Sequence, residues 1–355
     1  MNIYVITIHN PGISFGPQQR LECFLKKSEE NDLNFILPPF PNPKRHSKLK
    51  TIFLTFKILD EIIKKRKKID IIHVVTPPSY PGLIAILAKK LLRIPYIVDI
   101  GDPCAENMAA ISNSSKKSFK FKTLKRIDKA LFKNAKHLIL TSPEILEYIP
   151  LNTPHSTILT ALSNKEDITP KEPANNKKCI YLGNYGPLQN LEYLIKVFAR
   201  AIKRDNQVQL DIYGTGEREK LETLTKELKS DQNIIFHDPI PASEIPKLAK
   251  KYALGLVSLN LEMDLNYAIP TKLLSSLTLG LPVFGTGGKA TKDLVRKSQS
   301  GHISTEHNEH RDASALLELL SSPRTLQSYS KNATEFAKKH LAYENAIKNY
   351  KLTLQ

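Results

Sequence analysis

Asn266-Tyr-Ala-Ile-Pro-Thr-Lys-Leu-Leu-Ser-Ser-Leu-Thr-Leu-Gly-Leu-Pro-Val-Phe-Gly-Thr-Gly-Gly288 contains a helix start, a short helix and a buried strand in immediate succession. Pro270 suits the first helical position, where its missing N–H costs nothing, and Leu273, Leu274 and Leu277 then share one face until Gly280. Leu281 to Phe284 reads as a buried strand. A helix that starts just after a parallel strand points unpaired backbone N–H groups into the crevice at the carboxyl edge of the sheet, where such folds hold phosphates. Lys272, in the first turn, adds a positive charge there. The plainer reading is a helix packed on a sheet with a lysine in solvent, so the surrounding chain has to decide.

Outward from that stretch the chain alternates strand and helix. Toward the N-terminus lie strands 254–259 and 234–236, a helix over 242–252, and a helix over 217–228. Strand 208–213 ends in Gly214-Thr215-Gly216, and strand 179–182 in Gly183-Asn184-Tyr185-Gly186 before a helix over 190–204. Residues 164–178 hold almost nothing apolar and two prolines, which marks a linker. Before it the alternation repeats. A strand over 2–8, a turn at 10–16 and a helix over 17–30 come first; then a strand at 34–37, a proline-rich loop, and an amphipathic helix in which Ile52, Phe53, Phe56, Leu59, Ile62 and Ile63 share a face. Strands over 70–75, 96–100 and 137–141 complete this half, the second of them running into Gly101-Asp102-Pro103. The tail from Ser322 reads as helical, with Phe336, Tyr343, Ile347 and Tyr350 inward. Two consecutive sets of βα units predict an α/β protein of two facing doubly wound domains with the site in the cleft between them.

The bulk numbers agree. A chain of 355 residues exceeds one ordinary core, and 41% hydrophobic residues fill two. No apolar run approaches the roughly 20 residues that span a bilayer, Leu83 to Leu92 being broken by Lys89 and Lys90. The N-terminal apolar run reads as a strand rather than a leader. Cys23, Cys104 and Cys179 lack metal or disulfide spacing and suit a reducing cytoplasm. The net charge is +17, and residues 40–136 alone carry 22 Lys/Arg against 7 Asp/Glu. Such a field favours polyanions: anionic membrane, nucleic acid or phosphorylated substrates.

The order of motifs resembles glycosyltransferase family 4, the retaining GT-B enzymes, over nearly the full length. The carrying residues are Gly12 and Gly16; Asp70-Ile-Ile-His73 before a proline turn; Ile94-Pro95 into Asp99-Ile-Gly-Asp102-Pro103; Tyr181-Leu-Gly-Asn184; Tyr213-Gly-Thr-Gly216; Pro270-Thr-Lys272; and Gly280-Leu-Pro-Val283. The resemblance implies an N-terminal acceptor-side domain over 1–165, a nucleotide-sugar domain over 178–330 and a C-terminal helix, 331–355, packing back on the first. It implies donor contacts at Gly16, Gly183, Asn184, Gly214, Gly216, Ile269, Thr271, Lys272 and Ser275, with Asp102 and Lys272 as catalytic candidates. The chain also departs from the family. Its paired glutamates fall on Tyr267 and Ser275, its basic residue after the glycine turn on Gln189, and its histidine beside the donor sugar on Gly101.

The expected activity is therefore transfer of a sugar from a nucleotide diphosphate to a lipid-linked or glycan acceptor, without a metal or other cofactor. The rival reading is a non-catalytic GT-B-like subunit that binds a partner transferase or glycan. The basic helix end Lys64-Lys-Arg-Lys-Lys68 places the protein peripherally on an anionic membrane surface at the cytoplasmic face; nucleic acid is not favoured, because the lysine-rich segments lack interleaved aromatics. Glu262-Met-Asp264 reads as an exposed loop pair. His302, His307 and His310 read as a solvated polar loop, His73 as a structural histidine, and Asp99 as a helix or turn cap.

Overall fold

The computed structural model describes residues 1–7, 16–38, 48–112, 114–149, 152–170, 172 and 174–355. Residues 8–15, on which most of the expected turn at 10–16 falls with Gly12, and most of the expected proline-rich loop lie outside these residues. The chain divides into two compact units, Met1–Leu162 together with Tyr343–Gln355, and Ser163–Ala342. Each is built on a six-stranded parallel sheet.

The first unit runs β1 (Asn2–Ile6), α1 (Gly16–Leu25), β2 (Asn34–Ile36), α2 (Lys48–Lys65), β3 (Ile71–Thr76), α3 (Leu83–Leu92), β4 (Tyr96–Ile100), α4 (Cys104–Ile111), α5 (Phe119–Lys133), β5 (His137–Leu140) and β6 (His155–Thr157). Its strand order is β2-β1-β3-β4-β5-β6. Every residue of β3 and β4 is buried, as parallel strands covered on both faces require. The expected inward face of α2 is corrected: Ile58 and Ile62 are buried, whereas Phe56 and Ile63 stand exposed. At about 100° per residue, Ile58 and Ile62 lie about 40° apart on the helix, and Phe56 and Ile63 fall roughly 100–160° away from them.

The second unit runs β7 (Lys178–Leu182), α6 (Leu191–Arg204), β8 (Gln209–Tyr213), α7 (Arg218–Glu227), β9 (Ile234–His237), α8 (Ile245–Ala249), β10 (Leu254–Val257), α9 (Thr271–Thr278), β11 (Val283–Thr286), α10 (Lys289–Ser298), β12 (Gly301–Ser304), α11 (Glu309–Leu320) and α12 (Pro323–His340). Its order is β12-β11-β10-β7-β8-β9, so the chain winds outward from β7 in one direction and from β10 in the other. That reversal leaves a crevice beyond the carboxyl ends of β7 and β10, the place where open α/β sheets bind ligands. Helix α6 shows how local sequence builds the layer. The Asn190 side chain accepts from the Tyr193 N–H at its start, and Leu194, Ile195, Phe198 and Ile202 bury one face in the core. His302 lies on β12 rather than in a loop.

The tail is two helices, and a break at Leu341–Ala342 divides it between the units. Helix α12 packs on α9 and α11 of the second unit, while α13 (Tyr343–Leu354) packs on α1 of the first. The expected single segment 331–355 is thus split, because the buried face of α12, with Ala333, Phe336 and Ala337, is spent on the second unit.

Candidate functional site

The crevice of the second unit is assembled from three turns. Strand β7 ends in Gly183, whose amide donates to Tyr213 O (2.8 Å), and Tyr185 N donates to Thr215 O (3.1 Å), which ties the turn after β7 to the turn after β8. This approach needs glycine. A Cβ on Gly214, where φ is +156°, would stand 2.0 Å from Gly183 O, and one on Gly216 would stand 2.3 Å from the Tyr185 ring. Asn184 helps to shape the turn: its Oδ1 accepts from Gly186 N (2.6 Å) and its carbonyl from Tyr181 Oη (2.8 Å).

The third turn is the start of α9. Pro270 is extended and acts as N-cap, one residue earlier in role than expected, and the helix proper starts at Thr271. The amides of Thr271 and Lys272 have no acceptor within a helix, so they are open to an anion. The loop before them is held from behind: Ala290 N donates to Asn266 O (2.8 Å) and Thr291 Oγ1 to Ala268 O (2.8 Å). Ile269 and Thr271 flank Pro270, half-buried, and half-buried Ser275 lies one turn along the same side as Lys272.

Lys272 is the charged centre of this arrangement. Its Nζ lies 4.8 Å from the Tyr181 ring centroid, and its Cε lies 3.7 Å from where a Gly183 Cβ would be. Among the described residues no carboxylate pairs with it. Desolvation lowers its pKa to about 7, so the amine is held there at a cost that an incoming anion relieves. Lys272, Gly183, Gly214 and Thr271 therefore meet at one edge. Tyr267 is buried, and its position cannot serve as a carboxylate.

The remaining candidates belong to the first unit. Gly16 is the first residue of α1. Asp102 follows β4 beyond Gly101, accepts from Asn107 Nδ2 (3.1 Å), and is raised to about 6 by desolvation. Gly101 is pinned on both sides: its amide donates to Thr76 O (3.0 Å), and its carbonyl accepts from Thr141 Oγ1 (2.7 Å). Behind this edge lies a buried polar cluster. Arg20 grips Asp99 through Nε (3.0 Å) and Nη2 (2.9 Å), His73 Nε2 lies 3.9 Å from the same carboxylate, and Tyr350 Oη bonds His73 Nδ1 at 2.9 Å. Asp99 is thus half of a buried ion pair rather than a helix or turn cap, and Arg20 and Tyr350 had no local motif to mark them.

Two further features of the second unit escaped the sequence reading. At the ends of β8 and β9, Tyr213 stacks on His237 (4.3 Å, 10°), while Asp211 accepts from His237 Nε2 (2.7 Å) and Tyr252 Oη (2.7 Å). A cavity of about 920 Å³ lies beyond the Gly183–Gly186 turn, among Tyr185, Asn190, Tyr193, Lys196, Glu217 and His307; Lys272 does not line it. Among the described residues no three His, Cys, Asp or Glu side chains gather to hold a metal, and no helix is long and apolar enough to cross a membrane.

Residues 164–336, nearly the whole second unit, match the family model described as glycosyl transferases group 1. A curated relative, the poly(glycerol-phosphate) alpha-glucosyltransferase of Bacillus subtilis (strain 168), is 23% identical over 190 residues; these are 51% of this chain and 26% of that protein. Among solved structures, sucrose-phosphate synthase from Thermosynechococcus elongatus aligns with a TM-score of 0.78 at 15% identity, over 99% of this chain and 98% of that one. HepE of Anabaena in complex with UDP aligns with a TM-score of 0.76 at 14% identity, over 99% of each chain. At such identities the likeness is one of fold, and the fold is GT-B.

Proposed function

We propose that this chain transfers a sugar from a nucleoside diphosphate donor to a glycan or lipid-linked acceptor, with retention of anomeric configuration. The carrying observation is Lys272, a desolvated amine with no carboxylate partner among the described residues, placed at the switch point beside a helix N-terminus. A diphosphate fits that site by charge and by the open amides of Thr271 and Lys272. As the glycosidic bond to the leaving group breaks, negative charge builds on the departing diphosphate, and the same groups stabilise it without a metal. We assign Asp102, a carboxyl raised to about 6, to the acceptor side, and no protein nucleophile. The group 1 match over the second unit and the UDP named with the HepE structure support this reading.

The test is a binding screen with UDP-, GDP- and ADP-sugars followed by the anomeric configuration of any product, read by NMR. Selective, saturable binding that is lost in Lys272→Ala is the expected result. A second reading, a non-catalytic glycan- or partner-binding subunit, is favoured by one observation: buried Tyr267 and half-buried Ser275 stand where the resembling family has carboxylates. If neither the wild type nor Ser275→Glu binds any nucleotide sugar at millimolar concentration, the second reading replaces the first.

A further inference from the structure

Nine of the ten large apolar side chains exposed among the described residues belong to the first unit. Three of them form a stripe on α3: Leu83, Leu87 and Leu91 recur every four residues on the outer side, while Ile84, Ala85 and Ala88 are buried beneath. Leu91 is 74% exposed. Helix α2 packs alongside α3 and adds Phe56, 66% exposed, and Ile63. Three leucines aligned on one helix, beside a helix that also exposes apolar side chains, are an ordered stripe rather than scattered single residues.

Its rim is cationic. Helices α2 and α3 both end at the amino edge of the sheet, where the adjacent strands β3 and β4 begin, so Arg66, Lys67 and Lys68 come to the same edge as Lys90 and Arg93. None of these five makes an ion pair with a described residue. Lys64 and Lys65 instead pair with Asp60 and Glu61 on the helix surface, so the unpaired part of the basic run is Arg66, Lys67 and Lys68. Arg66, Lys67 and Lys68 form the 3₁₀ turn that continues α2, where cations complement the helix dipole, but three in a row exceed what that needs. The whole first unit carries 27 Lys/Arg against 14 Asp/Glu.

We propose that the outer face of α2 and α3 docks on an anionic lipid bilayer, with Leu83, Leu87 and Leu91 entering the headgroup boundary and Arg66, Lys67, Lys68, Lys90 and Arg93 holding anionic headgroups. Charge complementarity selects this occupant. A second copy of the chain, meeting the first across a two-fold axis, would set these unpaired cations against one another. A nucleic acid would use the cations and leave the leucines in water. The stripe is short, about 12 Å along the helix, so docking is shallow and reversible. The inference concerns a surface of the first unit and holds whatever the reaction chemistry proves to be.

The experiment is vesicle flotation of the full chain with neutral phosphatidylcholine and with phosphatidylcholine containing phosphatidylglycerol. Wild type is expected to float with the anionic vesicles only and to be released by salt. Leu87→Glu with Leu91→Glu should cut recovery about tenfold or more, and Arg66→Glu, Lys67→Glu, Lys68→Glu should do the same, while Ile235→Glu on the second unit should not. Circular dichroism melts and nucleotide binding, measured apart, separate misfolding or a failed donor site from lost docking. Equal recovery on both vesicle types, no recovery on either at low salt, full recovery of the leucine variant, or binding of duplex DNA in place of vesicles would each overturn the proposal.

Discussion

Tyr350 Oη lies 2.9 Å from His73 Nδ1, a hydrogen bond that joins the last helix of the chain to its third strand inside one core. Both residues are buried, and His73 Nε2 has no hydrogen-bond partner of its own among the described residues. Removing the hydroxyl leaves the ring without its one strong contact. Tyr350→Phe should therefore destabilise the first unit by about 1–3 kcal/mol, read from urea unfolding at neutral pH.

The same histidine makes stability depend on pH. Burial lowers His73 to about 4, below its ordinary 6.5. Between those values the unfolded chain binds a proton that the folded one does not, so this contribution is present above the unfolded pKa and is lost as pH falls toward the folded one. Compared with His73→Gln, the wild type should lose more stability between pH 7 and pH 4.5. Parallel denaturation curves for the two proteins would rule this out.

Arg20 and Asp99 make a buried ion pair in the same cluster. Arg20→Met leaves an unpaired buried carboxylate and should cost about 3–5 kcal/mol, whereas pairing it with Asp99→Leu should recover much of that loss. A double-mutant cycle measures the difference. If the double variant is less stable than Arg20→Met, the carboxylate has another role.

Lys272 links pH to ligand in the opposite sense. With its pKa lowered to about 7, the amine is half neutral at neutral pH, and a bound diphosphate pulls it back to the ammonium form. Nucleoside diphosphate affinity should weaken as pH rises from 6 to 9, with proton uptake on binding visible by calorimetry in buffers of different ionisation heat. Lys272→Arg should flatten that dependence, and Lys272→Ala should lose about 1.5–3 kcal/mol, ten- to a hundred-fold in affinity. In the unliganded protein the sign reverses: the unfolded lysine holds its proton to a higher pH, so stability rises between pH 7 and 10.

Gly214→Ala tests the turn. The added methyl would stand 2.0 Å from Gly183 O at a φ of +156°. Backbone must shift, at a cost of about 1–3 kcal/mol, and nucleotide binding should fail even at temperatures where the fold survives. An unchanged dissociation constant would separate the turn from the donor site.

What could be read from sequence was local. Pro270-Thr-Lys272 before Gly280-Leu-Pro-Val283 announced a helix start at the edge of a parallel sheet, and the glycines at 183, 214 and 216 announced close backbone approach. Both signals lie within a few residues, and the structure brings them together. The face of α2 was misjudged because a run rich in apolar residues supports two overlapping faces, and only the sheet beneath selects Ile58 and Ile62. Arg20 with Asp99, and His73 with Tyr350, are separated by 79 and 277 residues, and no spacing rule connects positions that far apart. The Tyr213 and His237 stack was hidden for a related reason, since it depends on the register between β8 and β9.

The first unit is discontinuous in sequence, and synthesis on the ribosome is directional. Ile3, Cys23, Phe24, Ile71 and Ile139 share a core with Ala346, Ile347 and Tyr350, residues that are translated only after the whole second unit. Until α13 is released, the first 162 residues carry an uncovered apolar face, while Ser163–Ala342 already has everything its own core contains. The second unit is thus able to fold first although it is made second, and the nascent first unit is the part that depends on chaperones or aggregates. A stop codon after Ala342 should leave a soluble, folded second unit attached to a protease-sensitive first one.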